Sequence, residues 1–131
     1  MQRLLAGLGP LVARVLLAAI FAWSGWQKLT VTGRAAAAIT GRGLPYATAL
    51  AYAACALELV GALMLVLGIR ARAVALALAA YVVVASWLFH LHPALRGDAA
   101  QTVQLLKNAG LIGGLVLLSL HGPGTASVDR G

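Results

Sequence analysis

The chain has 131 residues, of which 62% are hydrophobic and only 10% charged. A soluble domain is typically about 45–50% apolar and about 25% charged, and a chain this short has too little interior to hide the difference, so an ordinary water-soluble domain is excluded and lipid is the implied solvent. Ten Lys and Arg against three acids give a net charge of +7, but the basic residues flank apolar runs rather than alternate with base-stacking aromatics, which points to anionic headgroups and away from nucleic acid.

A membrane-crossing helix needs about 20 mostly apolar residues. The first such run extends from about residue 9 to 29 and ends in Trp23, Trp26 and Lys28, an aromatic and basic interfacial anchor. Arg14 interrupts its start and no small-x-small cleavage site follows, so the run reads as a retained first span rather than a signal peptide. Ala35–Ile39 then suits a short helix lying in the interface, broken by Gly41, Gly43 and Pro45. The second and third spans are expected at about 47–68 and 73–91, and the tight turn at Ile69–Arg72 makes them antiparallel neighbours. Pro93, Arg96, Gly97 and Asp98 suit a loop before a fourth span at about 101–121, and a polar tail covers 122–131. The fold class is all-α: an integral membrane four-helix bundle in a single domain spanning 1–131, with a short interfacial helix between the first two spans.

Four spans place both termini on one side. Arg3, Arg70, Arg72 and Arg130 fall on that side and Lys28, Arg34, Arg42 and Arg96 on the other, an even count. The paired arginines of the shortest loop favour termini in the cytoplasm.

Polar residues inside the spans carry the functional signal. Glu58 sits near the middle of the second span, where a carboxyl costs a few kcal/mol to insert and faces a partner or a cavity. Its helical face, Ala51, Ala54, Cys55, Gly61 and Ala62, is nearly all small and admits close helix approach or a ligand. Arg14 and Lys107 are its expected partners, approaching from opposite sides of the membrane. Pairing that merely fixes the bundle, and snorkelling of Arg14 to headgroups, are the structural alternatives. On the fourth span Gln101, Gln104, Lys107, Asn108 and Leu111 form a polar stripe that should face protein or water. Gly110 and Gly114 suit close packing. His90 lies one turn from Ser86 on the third span and is the better functional candidate of the two nearby histidines. His90 and His92 point to different sides of a helix, so they do not share a metal. His121 suits a helix end, where its charge favours the dipole. Lys28 shares a face with Arg14 and Phe21, at the opposite mouth of the same groove, and is otherwise an interfacial anchor. The site expected from these residues is a proton relay or ligand site of Arg14, Glu58, His90, Gln104, Lys107 and Asn108 converging in the bundle, with no metal. Its excess of bases suits an anion or an oxygen-rich head such as a quinone carbonyl.

Taken together these residues resemble the DoxX family of small membrane proteins over nearly the whole chain. The resemblance is carried by Arg14, the run Phe21–Leu29, Gly43-Leu44-Pro45, Glu58 with Gly61, Gly68–Arg72, His90, Lys107-Asn108 and the tail Gly122–Asp129. It implies a four-helix inner-membrane protein associated with redox chemistry, since relatives are linked to thiosulfate:quinone oxidoreductase and to membrane complexes that handle thiol or oxidative stress. The lone Cys55 leaves no pair for thiol exchange, and no histidines at i and i+4 argue for haem. A subunit or accessory protein of a quinone-linked oxidoreductase is the leading reading. A carrier or channel for a polar or anionic solute, and a scaffold recruiting a soluble redox partner through the arginine loop and tail, stay open. The small-residue faces also suit a homodimer.

Overall fold

In lipid the backbone must satisfy its own polar groups, and a helix does so within one segment. The apolar runs accordingly become helices in the computed structural model, which describes residues 1–129 (of residues 2–4, the backbone alone). The expectation for Arg130, and for the side chain of Arg3, lies outside the described residues. The elements are α1 (Gln2–Thr30), α2 (Thr32–Thr40), α3 (Ala47–Leu67), α4 (Ala71–Ala85), a π-helical turn (Ser86–Leu91), α5 (His92–Leu95) and α6 (Ala99–His121). Four stretches are long and apolar enough to cross a membrane: Leu5–Thr30, Ala47–Leu67, Ala71–Leu95 and Ala99–His121. Together they make an integral membrane four-helix bundle.

Two boundaries differ from the sequence expectation. The first helix begins well before residue 9, because Pro10 sits in its third turn without ending it. The third span continues past His90 and Pro93 to Leu95 instead of giving way to a loop. Pro93 has no N–H to offer the Phe89 carbonyl four residues back. Arg42 Nη2 supplies a donor to that carbonyl at 3.3 Å, and its guanidinium lies 5.8 Å from the Phe89 ring centroid. The helix passes this point in π geometry, a rare form that recurs at functional sites. The expected interfacial helix is present as α2, longer than Ala35–Ile39 by a few residues at its start.

The helices pack in the order α1, α3, α4, α6, with α1 against α3 as the broadest contact and α1 touching α6 only briefly. Ala18, Phe21, Ala62, Leu65, Ala75, Leu78, Val82, Leu115 and Leu118 form the buried centre. The small face of α3 works as expected: Ala51, Cys55, Gly61 and Ala62 are buried. At Gly61 an added Cβ would stand 3.1 Å from the methyls of Leu78.

The end of the bundle that carries both termini is closed by arginines and by the tail. Arg14, fully buried, donates from Nη1 to the carbonyls of Leu65 (3.2 Å) and Val66 (3.0 Å) at the end of α3, and from Nη2 to Ala126 of the tail. The last carbonyls of a helix have no partner within it, so a buried helix end needs such a donor. The tail then runs along the α3–α4 turn, with Val128 N donating to Leu67 O at 3.0 Å and Asp129 N to Gly68 O at 3.1 Å. The Asp129 carboxylate accepts from Arg70 N. Arg72 does at α6 what Arg14 does at α3, donating to Leu120 O at 3.3 Å.

Gly68 is the joint of this arrangement. It has φ +70°, and a Cβ there would collide with the Arg14 guanidinium and with Ser127. Gly68→Ala is expected to cost about 1–3 kcal/mol, read as a lower unfolding midpoint in mixed detergent micelles. An unchanged midpoint would show that the tail and Arg14 do not hold this end together.

Candidate functional site

The site is built where α1 and α3 come closest. Gly25 makes the approach possible: a Cβ at that position would lie 2.7 Å from Leu59 Cγ and 3.2 Å from Glu58 Cβ. The Cys55 thiol donates to the Gly25 carbonyl at 3.3 Å, which ties the two helices at the same level. Ser24 and Lys28, one turn apart on α1, then flank Glu58 of α3.

Glu58 is 3% exposed, and three side chains converge on its carboxylate. Lys28 Nζ lies 3.0 Å from Oε1 and 2.9 Å from Oε2. Ser24 Oγ donates to Oε1 at 3.0 Å, and the Tyr81 hydroxyl of α4 donates to the same oxygen at 2.8 Å. Lys28 also donates to Ser24 Oγ at 2.7 Å, so all three ammonium protons have acceptors. This is the ion pair found among the described residues. A charge taken out of water is tolerable only when it is paired and its remaining lone pairs are bonded, and Glu58 meets both conditions.

The expected convergence of Arg14, Glu58, His90 and Lys107 does not form. Arg14 meets the last turn of α3, two turns from Glu58, because Gly25 rather than Arg14 is level with the acid. Eleven residues separate Arg14 from Gly25 on α1, about 16 Å along the axis. Lys107 is exposed on the outer surface of α6 and pairs with no acid among the described residues. The partner that Glu58 does use, Lys28, is placed by its spacing at the opposite mouth of the groove or as an interfacial anchor, and not as the counter-ion of Glu58. Its signal was the Ser24–Lys28 spacing beside a glycine, but that spacing does not say which helix lies opposite. Tyr81 gave no signal beyond being a polar tip in an apolar run.

The remaining candidates form a second, smaller group nearer the end of the bundle remote from the termini. Asn108, 7% exposed, donates from Nδ2 to Ser86 Oγ at 2.9 Å. His90 Nδ1 and Gln101 Oε1 are 2.6 Å apart. The amides of the α6 stripe therefore face protein and meet the π-helical turn of the third span, while Lys107 of the same stripe is exposed. Gln104 is partly buried on the same stripe. Of the glycine pair, Gly114 packs against Leu17 of α1, while Gly110 meets nothing. His121 caps its own helix, with Nδ1 3.1 Å from Leu117 O.

A pocket of about 300 Å³ opens beside the ion pair, lined by Ser24, Gln27, Lys28, Val31, Arg34 and Ala35. It places a hydroxyl, an amide and two cations beside the cluster. Chemically the cluster can hold a proton on a carboxylate that a phenol, a hydroxyl and an ammonium already address, within reach of a ligand in that pocket.

The fold and this cluster define a small polytopic membrane protein with an ion pair held at mid-span. The DoxX family profile matches residues 9–91, and the chain belongs to the DoxX family. It is 32% identical over 127 residues to inner membrane protein YqjF of Escherichia coli, covering 96% of this chain and 93% of that protein. It is 28% identical over 122 residues to inner membrane protein YphA of the same organism, covering 92% and 87%. No solved structure gives a significant match.

Removing one member of a buried pair strands the other. Lys28→Met should cost about 3–5 kcal/mol in mixed-micelle unfolding. Glu58→Gln should cost less, because Lys28, with 24% of its side chain exposed, can turn to the interface. The double variant should lose much less than the sum of the two single losses. Strictly additive losses would show that the pair contributes nothing to stability.

Proposed function

We propose that the chain is an accessory subunit of a quinone-linked membrane oxidoreductase, lodged in a bacterial-type inner membrane with its termini in the cytoplasm. The observation that supports this reading is the carboxylate of Glu58, buried at mid-span and addressed by Lys28, Ser24 and Tyr81. Intramembrane carboxylates with this kind of hydrogen-bonding company are typical of proton relays. The inner-membrane relatives are consistent with the location.

The donor set suits a quinone head. Its carbonyl oxygens accept hydrogen bonds from hydroxyl, amide or ammonium groups, and the pocket beside Lys28 offers all three. A quinone bound there supplies an acceptor for two electrons from the partner oxidoreductase and for two protons. Glu58 holds the proton to be passed on, Tyr81 and Ser24 orient its carboxylate, and Lys28 keeps the carboxylate ionised between transfers. His90 with Gln101, and Asn108 with Ser86, extend polar groups toward the membrane face remote from the termini, on the route such a proton would take.

A carrier for an anionic solute is the second reading, favoured by the cations Lys28 and Arg34 in one pocket. Extraction of the protein from its native membrane, followed by quantification of bound quinone and of co-purifying enzymes, tests the first. Wild type should retain quinone and an oxidoreductase. Glu58→Gln should lose about a hundred-fold or more of the partner's quinone-reduction rate, the typical scale of a lost proton-transfer group, and Tyr81→Phe, which removes an orienting hydrogen bond, a smaller part of it. Full activity in both variants, or solute uptake by proteoliposomes with no quinone bound, would discard the redox reading.

A further inference from the structure

A second pocket, of about 590 Å³, opens at the end of the bundle remote from the termini, lined by Arg42, His92, Pro93, Arg96 and Asp98. Its size is that of a small-ligand site, and it shares no residue with the cluster around Glu58. Two loops bring these residues together. After α5 the chain turns at Gly97, with φ +92°. The Pro93 carbonyl then accepts from both Arg96 N, at 3.1 Å, and Asp98 N, at 3.2 Å, so the stretch from Pro93 to Asp98 is a closed turn. Arg42 comes to the pocket from the loop between α2 and α3. Its guanidinium is held in place by the bond from Nη2 to Phe89 O and by the Phe89 ring 5.8 Å away. An arginine carries five N–H donors, and this anchoring uses one of them.

The charges of the pocket are unequal. Two guanidiniums and an imidazole stand against one carboxylate. That carboxylate is engaged elsewhere, because Asp98 caps α6 and its Oδ1 accepts from Gln101 N at 3.1 Å. Arg96 is exposed, and neither Arg42 nor Arg96 pairs with an acid among the described residues. The pocket is therefore net positive and rich in donors.

We propose that this pocket binds a phosphate group, with Arg42 and Arg96 as its anchors and His92 as a further donor. Guanidinium forks match the oxygens of a phosphate and keep their charge at any physiological pH. Pro93 has no N–H and gives the pocket an apolar wall for the carbon side of an ester. The pocket lies where the third span ends, at Leu95, so the phosphate can belong to an anionic lipid headgroup or to a soluble ester arriving from the water. Both present the same oxygens to the two arginines. The site stands on its own residues and does not rest on the redox reading of Glu58.

The test uses the detergent-purified full chain in two arms at one fixed ionic strength. The lipid arm is native mass spectrometry with dioleoylphosphatidylglycerol against the zwitterionic dioleoylphosphatidylcholine. The soluble arm is calorimetric titration with glycerol 3-phosphate against glycerol. Saturable preference for the phosphate-bearing anion in either arm is expected, and the arm that shows it names the source. Arg42→Gln and Arg96→Gln should each weaken that binding about five-fold, and the pair about twenty-five-fold. Arg96→Gln changes an exposed side chain with no bond to the rest of the chain, so its result stands even if Arg42→Gln loosens the turn at Phe89. Arg70→Gln removes an exposed charge at the other end of the third span, about 35 Å away, and should leave binding within about two-fold of wild type. No preference in either arm, unchanged binding by Arg96→Gln, or an equal loss from Arg70→Gln would each overturn the proposal.

Discussion

A carboxylate held halfway across a membrane has to be neutralised from within the protein, and the packing of this bundle follows from that requirement at Glu58. Lys28 can reach the acid only if α1 and α3 nearly touch. They touch because Gly25 has no side chain and the facing surface of α3 is built of Ala51, Cys55 and Ala62. The register this sets carries Tyr81 of α4 to the remaining lone pairs and puts Phe21 and Ala18 into the centre. A paired acid therefore acts as a register mark in an interior that otherwise has little direction.

The cations are distributed by the same logic. With three acids against ten Lys and Arg, most bases cannot find a carboxylate. Arginines instead take the carbonyls that helix ends and Pro93 leave without donors: buried Arg14 on α3, and exposed Arg72 on α6 and Arg42 on Phe89. In water those carbonyls would be solvated, whereas in or near lipid a guanidinium replaces the solvent. The tail closes the arrangement, laying its backbone along the α3–α4 turn so that Arg14 is enclosed. The remaining described bases, Arg34, Arg70, Arg96 and Lys107, are exposed and have no acidic side-chain partner among the described residues.

Much of this was legible in advance. Run length and composition marked the four spans, since no other structure suits 20 apolar residues in a row. Glu58 stood out because an acid at that depth is costly. The α6 stripe pointed inward because its amides repeat at helical spacing, and Asn108 and Gln101 do meet Ser86 and His90. The partner of Glu58 was not legible. Arg14, Lys28 and Lys107 are all bases on neighbouring spans, and periodicity ranks none of them, because it describes one helix at a time.

The sequence by itself determined the solvent, the number of spans, the family and the residues too polar to face lipid, all of which depend on local composition and spacing. Only the tertiary structure decided which polar groups meet. Axial register between helices depends on where backbones can approach, and here that is Gly25 against Glu58 and Leu59. That contact turned an apparent surface anchor, Lys28, into the counter-ion of the site. It moved Arg14 to the helix ends and left Lys107 outside.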